Sequence, residues 1–127
     1  MEYKTNNSFI LAERNLELGR QLLREKQYYN WVVVILYYSA YMYAKTLFVL
    51  NSWTEPTTHD AWRREINNKV DENIGYDFGA LYLGSRKCRY NPAEALNLNK
   101  NKKALGEYIE YFKSIRERIV SELEAIK

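Results

Sequence analysis

The chain is poor in the residues that hold small disulfide-stapled or metal-held folds together. Its 127 residues include one Cys, one His, two Pro and five Gly. A lone thiol, Cys88, closes no internal disulfide, which fits a reducing compartment and predicts a cytoplasmic protein. One His and one Cys make no ligand set for structural zinc, so neither a metal nor another cofactor is expected. Gly and Pro are too scarce for the many tight turns of a β-sandwich. No glycine-rich phosphate loop is present, and no strand to precede one. The segment Met1–Asn7 lacks a basic region followed by an apolar run, so no signal peptide is expected.

What is present has the balance of a globular chain forming one domain, residues 1–127: 46% of residues are apolar and 28% charged. Aromatics reach 15%, and 12 of the 19 are Tyr. A buried Tyr brings apolar area together with a hydroxyl that needs a partner, so the composition predicts a polar-lined interior or an interface. The net charge of +3 is unevenly placed. Arg86, Lys87, Arg89, Lys100, Lys102 and Lys103 stand against Glu94 alone, so the 18 residues from 86 to 103 carry +5 and the rest of the chain −2. Such a segment attracts a polyanion or an acidic protein. A solvated loop has the same composition.

Hydrophobic periodicity predicts helices throughout. Asn7 or Ser8 caps a first helix reaching about Gln27. Its apolar positions Phe9, Ala12, Leu16, Leu22 and Leu23 fall mostly at three- and four-residue steps, and Gly19 on the inner face admits a close neighbour. Trp31 to Leu50 carries one charge, Lys45, in twenty residues. That run is long enough for a bilayer. It also contains Ser39, Thr46 and four Tyr (Tyr37, Tyr38, Tyr41, Tyr43), and the favoured reading is the buried centre of a bundle with no membrane contact.

Pro56 breaks the chain, and Thr57 or Thr58 caps a helix from His59 to about Val70. Ile74-Gly75 reads as punctuation, a fourth helix runs from about Tyr76 to Tyr90, and Asn91-Pro92 ends it. The last helix starts near Pro92 or later and continues almost to Lys127 along Leu105, Tyr108, Phe112, Ile115, Ile119 and Leu123. The expected fold is all-α, a four- to five-helix up-and-down bundle around the hydrophobic second helix.

Two constellations carry chemistry. Arg86, Lys87 and Arg89 at the end of helix four, with Tyr90 and Asn91 after them, fit a phosphate backbone and a stacked base. The same cations equally complement a helix dipole. His59 and Arg63, four residues apart, share a helix face. Together they offer a proton carrier and an oxyanion partner for phosphodiester cleavage, or a structural His beside an Arg paired with a carboxylate. Cys88 reads as packing.

The order of three segments adds to this reading. Tyr-Tyr-Asn-Trp-Val-Val-Val-Ile-Leu-Tyr-Tyr-Ser-Ala-Tyr-Met-Tyr-Ala-Lys from Tyr28 is followed by Thr-His-Asp-Ala-Trp-Arg-Arg-Glu-Ile from Thr58, then by Leu-Tyr-Leu-Gly-Ser-Arg-Lys-Cys-Arg-Tyr from Leu81. This order resembles the small prokaryotic HEPN-like proteins over roughly residues 8 to 125. The resemblance implies a helical bundle, often a homodimer, associated with RNA cleavage in toxin–antitoxin and phage-defence systems or with nucleotide binding. It also implies a small nucleotidyltransferase or antitoxin as a possible partner. The family's ribonuclease motif is Arg, four to six residues, then His, in a cleft at the dimer interface. Arg86 occupies the Arg position, but Asn91 stands where His belongs, and an amide is no general base at neutral pH.

The expected function is therefore RNA or nucleotide binding through Arg63, Arg86, Arg89, Tyr90 and Asn91. The alternatives are a metal-independent ribonuclease using Arg86 and His59 as catalytic residues, and a protein-interaction scaffold.

Overall fold

Each helix but one starts at a side chain that accepts one of the free N–H groups of its first turn. The computed structural model of the protein describes residues 2–126. After a 3-10 turn at Tyr3–Thr5 come α1 (Asn7–Glu25), α2 (Tyr29–Leu50), α3 (His59–Lys69), α4 (Glu72–Tyr90), α5 (Pro92–Leu98) and α6 (Lys102–Glu124). Asn6 caps α1, accepting from the Ser8 N–H at 2.8 Å. Thr58 caps α3 through the Ala61 N–H at 3.1 Å, and Asp71 caps α4 through the Asn73 N–H at 2.6 Å. Helix α2 has no side-chain cap of its own. Its Asn30 N–H donates instead to Asn99 Oδ1, just past α5, at 3.1 Å.

The all-α expectation holds among the described residues, but with six helices rather than four or five. The last predicted helix is two. Pro92 starts α5, the chain turns at Asn99 to Asn101, and Asn101 caps α6 through the Ala104 N–H at 3.0 Å. Helix α4 starts at Glu72 rather than near Tyr76, and Gly75 lies inside it. A Cβ at Gly75 would sit 2.5 Å from Asn67 Oδ1 and 3.0 Å from Asn67 Cα, so this glycine is where α3 and α4 meet rather than a break between them. Helix α1 ends at Glu25 because Lys26 turns left-handed, with φ of 60°.

Helix α2 is the centre, packed against α1, α4 and α6. By length and composition it could cross a membrane. Here most of its surface faces protein: Val33, Tyr37, Ala40, Tyr43 and Phe48 are fully buried, while Trp31 and Val49 are exposed. Its polar groups are matched within the bundle. Ser39 donates to the Ala12 carbonyl at 2.7 Å. Tyr43 donates to the Glu13 carboxylate and accepts from Arg116 Nε at 2.8 Å. The predicted close approach at Gly19 is present, with an added Cβ only 3.3 Å from Leu36 Cδ2.

The turn from α1 into α2, the Asn30–Asn99 bond and the short α4–α5–α6 connections bring the end of α1, the starts of α2 and α6, the end of α4 and all of α5 to one end of the bundle. The basic segment is therefore helix ends, not a loose loop. Arg86, Lys87, Lys100, Lys102 and Lys103 are exposed there, with no salt bridge among the described residues.

Candidate functional site

Helix α3 begins with His59, and its first turn leans on the middle of α2 and α4. The imidazole of His59 lies on the ring of Tyr82, centroids 4.3 Å apart and planes 19° apart. Its Nδ1 shares a hydrogen bond with the hydroxyl of Tyr37 on α2. Tyr37 also packs on Tyr82, Phe78 and Tyr38, with centroids 5.4 to 5.5 Å away. Tyr41 approaches the imidazole edge-on at 6.3 Å and stands perpendicular to Trp62 of α3 at 5.3 Å. This aromatic cluster holds the histidine ring in one orientation.

Beside it, a cleft of about 360 Å³ opens between α3 and α4, its walls including His59, Arg63, Tyr76 and Tyr82. Gly79 makes room for Arg63: a Cβ on it would lie 2.5 Å from Arg63 Cδ. Among the described residues the guanidinium of Arg63 has only a loose partner, Asp60, at 4.0 Å and well exposed, so it is available to an anion at small cost.

Arg89 closes the cluster toward the basic end of the bundle. Its Nη1 donates to the Tyr38 hydroxyl at 2.7 Å and its Nε to the Ser85 carbonyl at 3.4 Å. The guanidinium lies over the rings of Tyr38 and Tyr90, at 5.5 and 5.0 Å. Burial first, and the charge of Arg89 second, hold the His59 pKa below its ordinary value, so the ring is neutral at pH 7. Burial raises the Tyr37 phenol, assisted by neighbouring tyrosines, so it keeps its proton. Burial likewise pushes the Cys88 thiol up to about 11, which suits packing rather than nucleophilic chemistry.

The predicted residues are thus only partly brought together. His59 and Arg63 share one cleft, and Arg89 adjoins it. The Arg86 side chain is exposed and makes no hydrogen bond or salt bridge among the described residues, and the arginine whose charge reaches His59 is Arg89. Tyr90 is 72% exposed. The Asn91 side chain caps α5, accepting from the Glu94 N–H at 3.2 Å. Sequence reasoning missed Tyr37, Tyr38 and Tyr82 as site residues. The signal was there in part, since tyrosines inside a core helix need partners for their hydroxyls. No group of three or more His, Cys, Asp or Glu side chains placed to hold a metal ion occurs among the described residues.

A family model described as HEPN domain matches residues 9–123. No curated protein and no solved structure matches the chain.

Proposed function

The chain belongs to the HEPN domain family, and from that premise we propose that it binds RNA, with the α3–α4 cleft taking one nucleotide and the basic end of the bundle taking the adjoining backbone. One observation carries this reading. In the last turns of α4, Arg89 lies over the rings of Tyr38 and the exposed Tyr90, and Arg86 and Lys87 beside it have no salt bridge among the described residues, so charge and an exposed ring share one helix end. Cations supply sequence-independent attraction to phosphates, and exposed rings supply stacking. Tyr76, Leu83 and Tyr90, seven residues apart on α4, are more than half exposed. A second copy covering that stripe would make a homodimer with the cleft at its seam.

The test uses fluorescently labelled single-stranded RNA without metal, at two salt concentrations, with wild type beside His59→Ala and Arg89→Ala. Binding that weakens with salt and in both variants, with the RNA left intact, is the expected result. Fragments from wild type that vanish in His59→Ala would establish the ribonuclease alternative. No binding at either salt concentration would overturn the reading in favour of a protein partner.

A further inference from the structure

The bond between Tyr37 and His59 has a direction. Tyr37 is fully buried, and its hydroxyl has no partner among the described residues other than His59 Nδ1. If Nδ1 carried a proton and donated it to the phenol, the phenol's own proton would be left buried without an acceptor, a costly arrangement. The satisfied arrangement has Tyr37 donating to Nδ1. A neutral imidazole then carries its one proton on Nε2. That nitrogen has no partner among the described residues, and it is not buried, since Ser85 Oγ is the one buried side-chain polar atom there without a hydrogen bond. His59 is itself a wall of the α3–α4 cleft, and Nε2 is its one ring nitrogen without a partner among the described residues.

We infer that Tyr37 is a positioning residue that fixes His59 as the Nε2–H tautomer, so that the cleft presents His59 Nε2–H and the Arg63 guanidinium as paired donors to a phosphate oxygen. This deepens the RNA reading and rests on it for the source of the phosphate. In this state His59 has no nitrogen free to accept a proton: Nδ1 is occupied by Tyr37 and Nε2 is already protonated. It holds an anion and does not act as the base that would activate a ribose hydroxyl. The charge that reaches the ring is that of Arg89; Arg63 and Asp60 stand with the ring on the cleft wall, and the rings against it are those of Tyr37, Tyr41 and Tyr82. Burial and Arg89 favour the neutral ring, and a loosely paired Arg63 beside it favours an anionic ligand.

His59 is the only histidine in the chain, so one imidazole appears in a long-range 1H–15N correlation spectrum of labelled protein. At pH 7.5 the free wild type is expected to show a protonated-type Nε2 and an unprotonated Nδ1, without averaging. Tyr37→Phe, which keeps the ring and removes the hydroxyl, is expected to show the two tautomers exchanging. A wild-type Nδ1–H tautomer, or an averaged pair, overturns the inference even if the variant does not fold. Inorganic phosphate and a short RNA are then titrated separately, with RNA binding followed by anisotropy. Movement of the Nε2 resonance with phosphate, the proton retained, supports the donor role; no movement overturns it. RNA that fails to bind while phosphate moves Nε2 sinks the RNA reading and leaves the anion site standing.

Discussion

The imidazole of His59 and the ring of Tyr82 are stacked, with centroids 4.3 Å apart, although they come from different helices. That stack, together with the Tyr37 hydroxyl, is what stops a half-buried side chain at a helix start from sampling other rotamers. Tyr82→Phe keeps the stacking surface and is expected to keep RNA affinity. Tyr82→Leu removes it and is expected to weaken RNA binding roughly tenfold, the scale of one aromatic pair of about 1.4 kcal/mol. Anisotropy titrations of the two variants check this, and equal affinities for both would show that the stack has no part in binding.

The cations divide into two kinds, and their substitution should be readable as such. Lys100, Lys102 and Lys103 are exposed and without salt bridges among the described residues, so each change to Gln should lower RNA affinity without changing the fold. Each should also reduce the slope of log affinity against log salt by about 0.7, the value for a single-strand phosphate contact. Arg89 is different, because Tyr38 is bonded to it at 2.7 Å. Arg89→Ala is expected to weaken RNA binding and to lower the melting temperature as well, since it leaves the Tyr38 hydroxyl without that partner. Titrations over a salt series with parallel thermal melts separate the two behaviours.

The parts of this arrangement that could be read from sequence are the local ones. The α6 stripe from Leu105 to Leu123 repeats at helical spacing, and α2 is apolar on every side, so both existed on paper as helices of the right kind. His59 and Arg63 are four apart on one helix, and their sharing a cleft follows from that spacing alone. Gly75 placed the start of α4 too late, for a physical reason that its other two glycines share. Gly75, Gly79 and Gly84 weaken a helix in isolation, yet in the fold each gives way to a neighbour, respectively Asn67, Arg63 and Tyr108. The Tyr37–His59 and Tyr38–Arg89 contacts join residues far apart in the chain, which no periodicity encodes. Charge clustering and motif spacing both point to Arg86. On α4, however, Tyr82, Ser85 and Arg89 follow the inner face while Leu83, Arg86 and Tyr90 follow the outer one.

Two glycines should respond oppositely to the same substitution. A Cβ at Gly84 would collide with the ring of Tyr108, where α4 packs on α6. Gly84→Ala is expected to cost about 1–3 kcal/mol, as overpacking does. Gly106 lies inside α6 with nothing within 4 Å of an added Cβ. Gly106→Ala is expected to stabilise by about 0.5–1 kcal/mol, because alanine loses less backbone freedom in a helix. Urea unfolding of both variants decides it, and a gain for Gly84→Ala would mean that α4 and α6 are not in contact as described.

Acid should weaken the fold in two separate windows. The folded state holds the pKa of His59 below its ordinary 6.5, through burial and then Arg89. As the pH falls from that value, the unfolded chain takes up a proton that the folded ring resists, so stability drops until the pH is below the folded pKa. Asp71 acts lower down. Its pKa is held below the ordinary 3.8, first by the Asn73 N–H that it caps and with help from Arg118, so its contribution is present above 3.8 and lost as the pH falls through the folded value. Melting temperatures followed from pH 7.5 to 5 isolate the first window. Wild type should lose stability across it more steeply than His59→Gln, which has no proton to take up. Parallel curves would mean that the His59 pKa is the same folded and unfolded, and that neither burial nor Arg89 acts on the ring.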